Sequence, residues 1–173
     1  MNICYPNELF DDIQTDKTIK AHKNDIVNGL GKDGLERIFQ SVQSLPFVYD
    51  KEYVDKYKRI FSPSEIIKYS TKIKNICDVV STSEGVTLIY SEKIYSGVLP
   101  MALALEEMGY ARHGTTNLLS NKKKAQLKYA MITGNSLYSP SNKAEIEACV
   151  HQDNMNGDKI KVIIISRAGS EGI

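Results

Sequence analysis

The sequence predicts an α/β fold: a three-layer parallel sheet with flanking helices. Two observations carry this. Short, near-continuous apolar runs at 86–91 (VTLIYS), 128–133 (KYAMIT) and 161–166 (KVIIIS) read as strands buried on both faces. Helical patterns at 99–109 and 142–151 fall between them. Parallel neighbours are joined by crossovers rather than hairpins, so strand, helix, strand, helix, strand is the order such a sheet requires.

Each element has a local reason. Residues 1–24 are mostly polar and read as an irregular lead-in with one short strand at Ile3–Tyr5. In 33–44, Leu35, Ile38, Phe39 and Val42 recur at helical spacing, and Pro46 follows shortly after. A helix over 64–80 is marked by a stripe of Ile66, Tyr69, Ile73, Ile76, Cys77 and Val80. Ser62 or Ser64 can cap it, Pro63 suits its first turn, and Glu65 follows Ser62 at capping-box spacing. Gly85 precedes the first strand; Pro100 opens the next helix and Gly109 stops it. Residues 111–127 are polar and hold Lys122, Lys123 and Lys124 in a row. The 142–151 helix has Ser141 or Asn142 as cap and Glu145 near its positive end. The division is a lead-in with one helix at 1–60 and an α/β unit at 61–173.

Bulk composition narrows the function. The chain has 173 residues, 42% hydrophobic and 25% charged, which is ordinary for one globular domain. Net charge is +1, so a nucleic-acid contact needs a local patch rather than an overall field. No apolar run reaches the ~18–20 residues of a membrane helix, and the acidic, polar start is not a signal peptide. Cys4, Cys77 and Cys149 are odd in number and far apart. Free thiols in a reducing, intracellular compartment follow, rather than disulfides or zinc.

Several motifs dissolve on inspection. GLGKDG (29–34) resembles a phosphate loop, but Ile26 and Asp33 stand where the motif needs Gly and Ser or Thr. DNMNGD (153–158) has a calcium-loop flavour, yet Gln152 and Ile163 would fill its first and twelfth positions. His22, His113 and His151 have no partner at ligand spacing, and Lys122–Lys124 reads first as a solvated loop. SRAGSEG (166–172) is different: its glycines allow close backbone approach, and successive N–H groups there can cradle an anion. Ligands of parallel sheets sit beyond the carboxyl ends of the strands. Those ends read YSEKIYSG (90–97), TGNS (133–136) and SRAGSEG, all rich in hydroxyls and glycines.

Four stretches in this order carry a resemblance: YSTKIKNICDVV, GVTLIYSEKIYSGVLPMALALEEMGY, YAMITG and KVIIISRAGSEGI. They resemble the second, C-terminal RecA-like lobe of superfamily 2 helicases. Within that group they look like the transcription-linked helicases of large nucleocytoplasmic DNA viruses. The likeness spans 64–173; NICYPNE and GKDGLERIF resemble the segment linking the two lobes. The resemblance implies an incomplete RecA-like lobe in which Ser91, Thr133, Gly134, Ser166 and Arg167 meet nucleic acid. Gly169, Glu171 and Gly172, within motif V, lie on the nucleotide side. No side chain here acts as a catalytic group or metal ligand. The family's downstream Gln-x-x-Gly-Arg-x-x-Arg and its upstream Walker lobe have no counterpart in the sequence.

The implied parent is a viral ATP-dependent helicase or DNA-dependent ATPase linked to early transcription. It would use ATP and Mg²⁺, act on DNA in preference to RNA, and reside in the virion and the cytoplasmic viral factory. Its partners would be the N-terminal ATPase lobe and viral transcription machinery, with no membrane. This chain, cut inside motif V, is expected to be inactive alone and to carry no cofactor. The alternatives are a non-catalytic α/β interaction module, binding a protein or nucleic acid passively, and a small nucleotide-binding enzyme. A sheet with an uncovered edge also leads us to expect self-association.

Overall fold

A computed structural model describes residues 3, 5–6, 30–120 and 127–170. Four strands, β1 (Thr87–Tyr90), β2 (Ala111–Arg112), β3 (Lys128–Ile132) and β4 (Val162–Ile165), form one sheet in the order β1-β4-β3-β2. Every pair is parallel, and Tyr90, Ile165 and Ile132 lie level across three strands. The helices are α1 (Gly31–Glu36), α2 (Lys51–Tyr57), α3 (Ile66–Tyr69), α4 (Thr71–Thr82), α5 (Leu99–Glu107), α6 (Asn142–Val150) and α7 (Arg167–Ser170). A π-helical turn at Ile94–Val98 leads into α5.

The two faces of the sheet explain the three layers. Ile89, Tyr129, Met131, Val162 and Ile164 face a core that includes α4 and α5. The alternate residues Ala130 and Ile163 face a smaller cluster with Cys149 of α6. Helix α5 is buried from Leu99 to Glu106, as a helix apolar all round should be. It lies in one core with Leu35, Ile38, Phe39, Phe47, Ile60 and Phe61, and with Ile3 and Tyr5. The α/β parallel sheet expected from the apolar runs is therefore present.

Three local expectations are corrected, and two elements were not foreseen. The 64–80 helix is two helices: Ser70 is extended (φ −157°, ψ 95°) and its hydroxyl accepts from Ile73 N–H, so Ser70, not Ser62 or Ser64, caps α4. The 33–44 helix stops at Glu36; Ile38, Phe39 and Val42 are buried, but Phe39 bridges Tyr49 in an antiparallel turnback instead. Helix α2 went unpredicted; Asp50 caps it by accepting from Tyr53 N–H at 2.9 Å. Ile3 and Tyr5 are not in a strand, although Ile3 N–H does bond Ser96 O at 3.0 Å. Strand β2 is too short for any periodicity to reveal; it starts just after Gly109, whose φ of +97° ends the α5 segment.

Buried polar groups complete the scaffold. Glu106 accepts from Leu118 N–H and Leu119 N–H, both at 2.7 Å, and from the Tyr129 hydroxyl at 2.6 Å. Burial outweighs these three bonds and raises its carboxyl pKa. Beyond β2, the outer edge of β3 is closed by side chains instead of a strand. Glu145 accepts from Met131 N–H at 2.9 Å, and Ser139 Oγ donates to Met131 O at 2.6 Å. Arg112, fully buried, pairs with Glu145 and donates to Tyr138 O, while its Nε and Nη1 find no partner.

Candidate functional site

Parallel strands put their carboxyl ends together, and the register does so here. Ser91 N–H donates to Ile165 O and Ser166 N–H to Ile132 O, both at 3.0 Å. Ser91, Ser166 and Thr133 therefore stand side by side at the end of β1, β4 and β3.

Their hydroxyls are turned inward. Ser91, Thr133 and Ser166 are all buried. Ser91 Oγ donates to Lys93 O at 3.2 Å, turning the chain out of β1. Thr133 Oγ1 lies 3.1 Å from Ser139 Oγ and accepts from Asn135 N–H at 3.2 Å, which folds the loop after β3 back on itself. Asn142, the first residue of α6, donates through Nδ2 to Thr133 O at 2.6 Å. Ser166 Oγ accepts from Gly169 N–H at 3.2 Å and so closes the α7 turn. These contacts fix the shapes of three loops.

The glycines are explained by contact. A Cβ on Gly134 would lie 2.6 Å from Ala168 Cβ, and one on Gly169 would fall on the Ile132 carbonyl, 2.9 Å from its carbon. The α7 turn thus rests directly on the end of β3, with no room for a side chain at either position. Exposed along the resulting rim are Glu92, Lys93, Gly134, Ser136, Leu137, Arg167 and Ala168. Its cations are Lys93 and Arg167. Glu171, Gly172 and Lys122–Lys124 lie outside the described residues.

The structure thus brings together six sequence-predicted positions: Ser91, Thr133, Gly134, Ser166, Arg167 and Gly169. It adds Ser139 and Asn142, which sequence reasoning missed, and shows Ala168 of the SRAGSEG stretch to be the contact for Gly134. Ser139 and Asn142 sit in SPSN, which reads as a helix start and hides their hold on β3. The rejected motifs are ordinary structure. Gly31–Gly34 opens α1, where Lys32 pairs with Glu36. In 153–158, Asn154 accepts from Ile160 N–H at 2.7 Å, and Gly157 has φ +77°. Among the described residues, no group of three His, Cys, Asp or Glu is placed to hold a metal ion. No helix among them is long and apolar enough to cross a membrane.

No protein-family model matches the chain. Over 109 residues it is 32% identical to "Putative helicase 087L" of Invertebrate iridescent virus 3. That stretch covers 61% of this chain and 11% of the viral protein. The similarity is to a helicase-named protein many times longer than the matched segment.

Proposed function

We propose that this chain is part of the second lobe of a nucleic-acid-dependent, helicase-related ATPase of viral type. The observation that carries the reading is the rim where β1, β3 and β4 end together, with α7 seated on Gly134 and Gly169. The similarity to a helicase-named viral protein supports it. In this reading, Arg167 and the backbone at Gly134 meet phosphates, which report strand position and carry no base identity. Ser91, Thr133 and Ser166 act one step behind, by shaping the loops that present those groups. The strand-end hydroxyls are already bonded within the fold, and among the described residues no acidic pair or lysine cradle accompanies them. The described residues therefore do not fit a magnesium triphosphate by themselves. ATP and Mg²⁺ belong to the interface with a partner ATPase lobe, and the early-transcription setting to the parent protein.

The test pairs an ATPase assay with fluorescence anisotropy on labelled single-stranded and duplex DNA. The isolated chain should show no turnover, since phosphoryl transfer needs a phosphate cradle, a metal-holding carboxylate and an arginine finger together. It should bind DNA weakly and salt-sensitively, and Arg167→Ala should lower the slope of log K against log salt by about 0.7 on single strands. DNA-stimulated turnover by the isolated chain, lost on changing Arg167, would instead make it a complete enzyme. Absence of DNA binding at low salt would favour the non-catalytic interaction module, a reading that the exposed Leu88 and Tyr90 on β1 also favour.

A further inference from the structure

Strand β1 leads into the π turn Ile94–Val98, and α5 follows at once. Two bonds in the turn reach back five residues: Val98 N–H donates to Lys93 O at 3.0 Å, and Leu99 N–H donates to Ile94 O. Tyr95 O is next in that ladder, and its donor five residues on would be Pro100. Ser96 O, at the four-residue step of an α-helix, also looks to Pro100. Proline has no N–H, so neither carbonyl has a donor at that position. Donors come from the lead-in instead. The Tyr5 hydroxyl donates to Tyr95 O, and Ile3 N–H donates to Ser96 O at 3.0 Å. The lead-in is itself held in place. Ile3 and Tyr5 are buried, the Tyr5 ring meets Phe61 edge-on with centroids 6.4 Å apart, and Pro6 O accepts from the Tyr53 hydroxyl at 3.3 Å.

We propose that Tyr5 is a positioning residue: its hydroxyl selects the π register and so places Lys93, one of the two rim cations, against a nucleic-acid phosphate. The nucleic-acid part rests on the function proposed above. The π-helix is the rarer winding, so the turn needs a reason to keep it. In the α register Leu99 N–H would move to Tyr95 O and Val98 N–H to Ile94 O, while Ile3 N–H would still serve Ser96 O. Only the π register leaves Tyr95 O dependent on Tyr5. Satisfying one partly buried carbonyl shifts a balance of this kind about tenfold or more. The choice matters at the rim. On changing to the α register Lys93 O would lose Val98 N–H, and the stretch from Ser91 to Ile94 would be displaced by one residue relative to α5. Lys93 O also accepts from Ser91 Oγ at 3.2 Å, so holding the turn holds the chain as it leaves β1. The Lys93 ammonium lies 3.8 Å from Glu92, an exposed pair that water screens and a phosphate can displace. Tyr5, buried, acts on Lys93 through the turn alone.

Two measurements on the 173-residue chain test this. The first is NMR detection of couplings across backbone hydrogen bonds, with no DNA present. The Val98 amide should couple to the Lys93 carbonyl in the unchanged chain and to the Ile94 carbonyl in Tyr5→Phe, a population shift of at least about tenfold. The second is the salt dependence of single-stranded DNA binding. Lys93→Ala should lower the slope of log K against log salt by about 0.7, the mark of one lost phosphate contact. Tyr5→Phe should lower it in the same direction and add nothing in the Lys93→Ala background. Ile73→Val, a core change in α4, should lower stability and leave the slope alone. A Val98 bond that stays on Lys93 in Tyr5→Phe would overturn the proposal. So would a slope untouched by Tyr5→Phe in a chain that binds DNA. If the unchanged chain binds no DNA, the nucleic-acid reading itself fails and the positioning role falls with it, whichever register the turn adopts.

Discussion

Replacing Gly134 with alanine tests how α7 is seated on the sheet. The new Cβ would lie 2.6 Å from Ala168 Cβ, against about 3.5–4.0 Å for carbons in comfortable contact. Neither atom can swing aside, because the backbone fixes a Cβ. Relief requires moving α7 off β3 by roughly 1 Å. That movement strains the bonds from Ser166 N–H to Ile132 O and from Gly169 N–H to Ser166 Oγ. Gly134 has no positive φ, so backbone strain adds nothing. Overpacking of this kind costs about 1–3 kcal/mol. For a chain of this size that lowers Tm by about 2–12 °C.

A second substitution isolates the cause. Ala168→Gly removes the opposing carbon, at about 0.5–1 kcal/mol for glycine in a helix. If the clash is the whole effect, Gly134→Ala/Ala168→Gly should be no less stable than Ala168→Gly alone. The coupling would then equal the Gly134→Ala cost, about 1–3 kcal/mol, measured by urea denaturation followed by circular dichroism. Gly169→Ala is the contrast: its Cβ meets the Ile132 backbone, so Ala168→Gly should not rescue it. A neutral Gly134→Ala, or costs that simply add within about 0.5 kcal/mol, would refute the close seating of α7 on β3.

Three further outcomes follow from buried groups. Glu145→Ala should destabilise by about 3–5 kcal/mol by stranding the Arg112 charge. Adding Arg112→Met should recover most of that in the same urea titration, since Arg112 already leaves Nε and Nη1 unpaired. Burial raises the Glu106 carboxyl, so between its unfolded and folded pKa values the native state binds the proton more tightly than the unfolded chain. Its contribution is therefore fullest below about pH 4.3 and is lost as pH rises through the folded value. Glu106→Gln lacks that loss, so its stability deficit should shrink from about pH 4 to about pH 7; a deficit that grows would contradict the sign. Burial also pushes the Cys77 and Cys149 thiols up to about 11. Both should resist alkylation at neutral pH until urea unfolds the chain, as read by peptide mapping; rapid native labelling of Cys77 would refute its burial.

What the sequence made legible follows from how each element is stabilised. The runs TLIY, KYAMI and VIII are strands because burial on both faces demands continuous apolar residues, and composition records that demand directly. Helix α5 was equally plain. The helix expected over 33–44 failed because Leu35, Ile38, Phe39 and Val42 are buried for another reason. They wrap the α5 side of the core, and a turnback pairing Phe39 with Tyr49 satisfies the backbone instead. Ser70 broke the 64–80 helix although the apolar stripe runs through it, because a serine can bond a backbone N–H more readily at a cap than inside a helix.

The candidate site was legible in position but not in role. Residue type and strand order are enough to place Ser91, Thr133 and Ser166 at one end of a parallel sheet. They do not tell whether a hydroxyl faces a ligand or its own loop. Here Thr133 meets Ser139, and Ser166 caps α7, so removing either hydroxyl would change a loop before it changed any contact with phosphate. Arg167 is exposed on the rim, and α7 is too short and too closely seated on β3 to move independently of the strands. This sorts the expected effects. Ser166→Ala and Thr133→Val should lower stability and DNA affinity together, with the salt slope unchanged, because they alter loop shape and not the number of phosphates met. Arg167→Ala should lower the slope by about 0.7, the signature of one lost phosphate contact on a single strand. A slope change on removing Ser166 or Thr133 hydroxyls, with stability intact, would put those hydroxyls on the nucleic acid after all.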